Sequence, residues 1–270
     1  MRLRSIAISL FAAVAATGVA LSPASADPVA AAGKYVALGD SYASGTGAGD
    51  YGDSGGCKRS ANSYAQLWAN ANAPSAFDFV ACSGAVTSDV LANQVGALTA
   101  DTELVTISIG GNDAGFADVM TDCNLGSDDS CVARNQEAQN FARAELPGRL
   151  DSVYTEISGR APGAQVVVLG YPHIYQLEGD CNVGLSETKR AAINGSADVL
   201  AEVVSARAGA FGFTFVDGRS AFAGHEICSS GDWWLNSVTF PIDESYHPNA
   251  AGHSGGYYAA LSAVAQPAVA

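Results

Sequence analysis

Five short runs dominated by Val, Ile, Leu and Phe punctuate the chain, at residues 35–38, 77–81, 104–109, 165–169 and 213–216. Apolar runs without alternation predict strands buried on both faces. Helical patterns fall between them, over 60–71, 87–98 and 137–159, the last with Leu146, Leu150, Val153 and Ile157 at three-to-four spacing. Ser186 is placed to cap a long helix reaching about residue 208, and Asn249 or Ala250 opens a last helix to about residue 263. Strands alternating with helices predict an α/β fold, a parallel sheet covered by helices on both faces. Ligands of such sheets bind outside the carboxyl ends of the strands.

Polar residues gather at those ends. Ser41 follows the first strand, Ser83-Gly84-Ala85 the second and Gly110-Gly-Asn112-Asp113 the third, while His247 lies in the loops after the fifth. A serine in a turn is common. A serine within reach of a histidine is an acyl-transfer site, because the imidazole removes the proton that keeps the hydroxyl a poor nucleophile. The Asn112 amide and a backbone N–H at Gly84 are donors suited to the oxyanion that develops during such a reaction.

Composition narrows the setting. Arg2 and Arg4, an apolar run over 6–21 and Ala24-Ser-Ala26 read as an export signal over residues 1–26, leaving 27–270 as one domain. No later segment is long and apolar enough to span a bilayer, so no stable membrane anchor is expected. A net charge of -14 repels phosphate backbones and argues against nucleic-acid binding. Six cysteines in an exported chain predict three disulfides. Of the fifteen possible pairings, the sequential one joins Cys57 with Cys82, Cys123 with Cys131 and Cys181 with Cys228. No Cys-x-x-Cys pair suggests a metal, and His247 and His253 lack the spacing of a zinc-binding helix.

The blocks Gly39-Asp40-Ser41-Tyr-Ala-Ser-Gly45, Gly84, Gly110-Gly-Asn112-Asp113 and His247-Pro248 resemble those of the SGNH, or GDSL, hydrolase superfamily. They occur in the family's order over about residues 34–260, and the likeness is greatest to secreted bacterial GDSL lipases and esterases, which also carry three disulfides. The resemblance implies a flavodoxin-like three-layer α/β/α sandwich with a five-stranded parallel sheet. It implies Ser41 as nucleophile, His247 as general base, and an oxyanion hole of the Ser41 and Gly84 N–H groups with the Asn112 side chain. The family often places Asp three residues before the histidine, where this chain has Glu244; some secreted relatives use a main-chain carbonyl two residues before it, here Ser245. The group that orients His247 stays open between these two.

Other features have plainer readings. Gly52-Asp-Ser54-Gly-Gly56 matches the nucleophile-elbow pattern, but glycines rather than a hydrophobic strand lead into Ser54. His173 and His225 read as hydrogen-bonded loop residues, and Trp233-Trp234 as packing in preference to an acyl groove. The expectation is a secreted, monomeric serine esterase or lipase without cofactor, acting on lipid or acylglycerol esters. Phospholipase A1 activity and carbohydrate deacetylation are the alternatives within the enzyme class. A secreted binding protein with an inactive site is the alternative outside it, and loss of Ser41, Asn112 or His247 would have favoured it.

Overall fold

The computed structural model describes residues 33–179, 181 and 184–265. The export signal expected over 1–26, and both ends of the domain expected over 27–270, lie outside the described residues.

Five parallel strands, β1 (Lys34–Gly39), β2 (Phe77–Phe79), β3 (Thr102–Ser108), β4 (Gln165–Leu169) and β5 (Thr214–Val216), form one sheet in the order β2-β1-β3-β4-β5. The central three are almost wholly buried. That is why their sequences are mostly apolar: each face packs on helices, and the buried Thr106 of β3 is tolerated because its hydroxyl shares a hydrogen bond with the Tyr35 hydroxyl at 2.8 Å. The edge strands have three residues each, which leaves little unpaired backbone for another chain to join.

The helices are α1 (Ser41–Ser44), α2 (Tyr64–Asn72), α3 (Thr87–Asp89), α4 (Phe116–Leu125), α5 (Asp128–Ala144), α6 (Leu146–Arg160), α7 (Glu187–Ala210), α8 (Gly218–Ala221) and α9 (Ala259–Val264). Helices α5, α6 and α7 pack together in one layer; α2 and the segment 252–264 pack together in the other. From the end of β1 the chain passes to β2 on one side, then crosses to β3 on the other. The carboxyl ends of β1 and β3 are therefore the place where a crevice opens.

Ser186 caps α7 as the sequence predicts, its hydroxyl accepting from Lys189 N–H. The helix expected over 137–159 is instead two. Pro147 stands in the first turn of α6, where its missing N–H is harmless, but its ring would clash with the carbonyl four residues back in a continuous helix. Helix α5 starts earlier than expected, at Asp128, capped by the Ser127 hydroxyl. The helix expected at 60–71 starts later, because Ser63, not Ser60, provides the cap. The stretch 87–98 is one helical turn followed by wider and then tighter turns. Helix α4 was not expected: it follows Gly115, whose φ of +78° starts it without a side-chain cap.

Candidate active site

Ser41 sits at the first turn after β1, a strand held by hydrogen-bonded neighbours on both edges. Gly39, with φ of +123°, lets that strand turn: a Cβ there would lie 2.4 Å from the Ser108 carbonyl oxygen. The buried Gln94 side chain locks the turn, accepting from Gly39 N–H at 2.7 Å and donating to its carbonyl at 2.9 Å. Asp40 then caps α1 by accepting from Tyr42 N–H at 2.9 Å. Ser41 is left almost buried, 6 % exposed, facing the crevice.

His247 arrives from the far end of the chain. Its loop is clamped where Asn236 N–H donates to the His247 carbonyl and Tyr246 N–H donates to the Asn236 carbonyl, both at 2.9 Å. Tyr246 takes a left-handed conformation, φ +64°, unusual for a bulky side chain. Its carbonyl accepts from the Tyr42 hydroxyl at 2.6 Å, which ties the residue after Ser41 to the residue before His247. The imidazole Nε2 then stands 2.8 Å from Ser41 Oγ and Nδ1 stands 3.0 Å from the Ser245 carbonyl oxygen. A carbonyl only accepts, so Nδ1 carries the hydrogen and Nε2 turns its lone pair to the hydroxyl.

Of the two groups left open for orienting the imidazole, the structure puts the Ser245 carbonyl in place. The Glu244 carboxylate does not reach the ring, because Lys58 Nζ holds it at 3.2 Å while also binding Asp243 at 2.8 Å.

Asn112 lies at the end of β3 and lines the same crevice as Ser41. Its Nδ2 donates to the Ala85 carbonyl at 3.0 Å, joining it to the turn that contains Gly84, where φ is +81°. Asp113 anchors the other side, accepting from Thr87 N–H at 2.9 Å and Thr87 hydroxyl at 2.6 Å, with Arg149 at 3.3 Å. The Tyr171 hydroxyl bridges the loops: it donates to Asp40 at 2.5 Å and accepts from Gly111 N–H at 3.0 Å. Gln94 and Tyr171 belong to none of the sequence blocks named for the site, and Tyr42, although inside the first block, has no assigned role there.

Burial sets the charges. It pulls His247 down to about 4, against the opposing bond to the Ser245 carbonyl, so the ring is neutral at pH 7. Burial likewise raises the Asp40 carboxyl to about 7, although its bonds from Tyr171 and the backbone favour the anion. Beside Ser41 opens an apolar recess of about 50 Å³, walled by Phe116, Val119, Ala138, Ile193, Ala197 and Leu200.

The remaining candidates fall elsewhere. Ser54 is a turn residue, donating to the Tyr51 carbonyl at 2.6 Å and accepting from Arg59 N–H at 2.9 Å. His173 bonds Asp198 and His225 bonds the Asp232 carbonyl, each at 2.8 Å. Trp234 stacks on His225 and meets Phe222 edge-on, and neither tryptophan lines the recess. His253 is buried six residues beyond His247, where it accepts from Tyr64 N–H at 3.3 Å. The cysteines pair sequentially, Cys57 with Cys82, Cys123 with Cys131 and Cys181 with Cys228. The first of these joins the loops after β1 and β2, next to Gly84.

Known proteins match this arrangement over most of the chain. The sequence pattern of the GDSL-like lipase/acylhydrolase family fits residues 37–254. Lipase 1 of Streptomyces coelicolor is 57 % identical over 258 residues, 95 % of each chain. The solved phospholipase A1 of Streptomyces albidoflavus is 58 % identical, with a TM-score of 0.85 over 87 % of this chain and 100 % of its own. The solved extracellular lipase of Streptomyces rimosus is 54 % identical, with a TM-score of 0.84 over the same shares. Matched by that pattern from within β1 to residue 254, just short of α9, and this similar to three such enzymes, the chain belongs to the GDSL-like lipase/acylhydrolase family.

Proposed function

We propose that the protein is an exported serine hydrolase that cleaves carboxylic esters of lipids through an acyl-enzyme on Ser41. The observation that carries this reading is the 2.8 Å contact from Ser41 Oγ to His247 Nε2, with Nδ1 engaged by the Ser245 carbonyl. The likeness to the solved extracellular lipase and the three disulfides support export, with the mature chain acting as one domain.

In the proposed reaction His247 takes the hydroxyl proton as Ser41 Oγ bonds to the ester carbonyl carbon. The carbonyl oxygen becomes an oxyanion, held by the N–H groups of Ser41 and Gly84 and by the Asn112 amide. The Ser245 carbonyl stabilises the imidazolium, whose Nδ1–H it already accepts. Collapse breaks the bond to the leaving alcohol, which receives the proton from His247 Nε2. Water, deprotonated by the same nitrogen, then releases the fatty acid and restores Ser41. The apolar recess beside Ser41 holds the acyl chain.

A phospholipase A1 reading is favoured by the 58 % identity to the solved phospholipase A1. Parallel assays on a triacylglycerol and a phosphatidylcholine separate it from the lipase reading. For the site itself, a fluorophosphonate is expected to label the native protein once, on Ser41, and not to label Ser41→Ala. Labelling of a folded Ser41→Ala protein removes the serine from its assigned role.

A further inference from the structure

Among the described residues the large apolar side chains that are exposed are Leu125, Leu177, Val238, Phe240 and Ile242. Four of these five stand beside the His247 loop. Val238, Phe240 and Ile242 alternate along the excursion 237–245, which leaves the chain at Asn236 and returns at Tyr246, the two residues whose backbones clamp His247. Leu125 follows Asn124, whose side-chain oxygen accepts from the Tyr246 hydroxyl at 2.8 Å. It ends α4, the helix whose first turns supply Phe116 and Val119 to the apolar recess. Phe240 is 87 % exposed and Leu125 85 %.

The excursion is also internally braced. The Ser245 hydroxyl accepts from Thr239 N–H at 2.9 Å and donates to the Thr239 carbonyl at 3.3 Å. Lys58 holds Asp243 and Glu244 at its base. Polar backbone near the tip is thus partly satisfied within the loop, which lowers the cost of leaving water. Isolated exposed apolar residues need no explanation, but a cluster on one rim of a site marks an interaction surface.

We propose that Val238, Phe240 and Ile242, with Leu125, form a rim that inserts into an uncharged or zwitterionic lipid surface and brings the crevice to its substrate. This rests on the lipid-ester reading above. Charge selects the occupant. The rim carries Asp243 and Glu244 against Lys58, and Asp118, Asp122, Asp128 and Asp129 flank the end of α4 against Arg134, the partner of the first two, and Lys189, which lies 4.0 Å from Asp128, so acidic groups outnumber basic ones. Such a surface repels anionic headgroups and accepts neutral ones.

The test separates binding from turnover. Ser41→Ala protein, mixed with phosphatidylcholine vesicles, is expected to co-sediment with them, and less so with phosphatidylglycerol vesicles. Adding Phe240→Ser and Ile242→Ser is expected to weaken this binding about tenfold or more. In the otherwise native protein the same pair is expected to leave turnover of water-soluble p-nitrophenyl butyrate within about twofold, which also reports that it folds. Unchanged vesicle binding by the doubly substituted protein overturns the proposal. So does a parallel loss of soluble-ester turnover, which would place the loop in the reaction itself. Because vesicle binding is read with Ser41 absent, it fails or holds independently of whether the protein hydrolyses esters.

Discussion

His247 and His253 are two buried imidazoles on one stretch of chain, both pulled below the ordinary value of 6.5, to about 4 and about 3, and chiefly by the same cause, burial. Their partners separate them. His247 has a carbonyl on one nitrogen and the Ser41 hydroxyl on the other. His253 accepts from Tyr64 N–H, packs beside Tyr64 and Tyr257, and leaves its buried Nε2 without a hydrogen-bond partner. A perturbed basicity therefore does not identify a catalytic base; the hydrogen-bond partners do.

Paired substitutions break or sharpen this contrast. His247→Ala is expected to lower kcat for a soluble ester by on the order of 10⁴-fold or more with Tm little changed. His253→Ala is expected to lose less than about tenfold in kcat and about 2–4 kcal/mol of stability, by analogy with other large-to-small core changes. Equal rate losses would erase the distinction. Asn112→Ala, which removes a donor and leaves both histidines in place, is expected to reduce kcat by about 10²–10³-fold. Tyr42→Phe removes only the bond to the Tyr246 carbonyl, so kcat should fall by roughly two- to tenfold with KM unchanged.

The smallest effects are in pH dependence. The proposed reaction requires a neutral Nε2, and burial keeps it neutral well below 6.5, so kcat/KM should hold through pH 6 and fall only as pH drops toward about 4. Stability responds to both histidines. Their folded values lie below 6.5, so as pH falls through that value the unfolded chain binds protons that the native state refuses, costing about 1.4 kcal/mol per pH unit for each ring. Asp40 acts oppositely. Raised to about 7, it takes its proton first in the folded state and adds stability as pH falls from about 7 toward 3.8. Replacing His253 by Leu should therefore flatten the decline of Tm between pH 6.5 and 4 without moving the acid limb of activity.

The strands were legible because burial on both faces favours apolar residues in runs, and the cap at Ser186 because its hydroxyl answers a local need three residues on. The break before α6 was written in Pro147 and was outweighed by the regular spacing of Leu146, Leu150, Val153 and Ile157. Helix α4 carries no capping side chain and so gave no local sign. In the site, Ser41, Asn112 and His247 stand in short blocks. Gln94 and Tyr171 do not: they act on Gly39 and Asp40 from 55 and 131 residues away, a distance over which spacing conveys nothing. The choice between Glu244 and Ser245 depended on Lys58, from the opposite end of the sequence, occupying the carboxylate.

The Asn112 amide has two hydrogens, and one is already given to Ala85. That engagement leaves the other with a single direction to point. The side chain has thus surrendered its rotational freedom while the chain folds; in the proposed reaction an arriving carbonyl would meet a dipole at rest, and negative charge would gather on its oxygen without waiting for the protein to turn toward it.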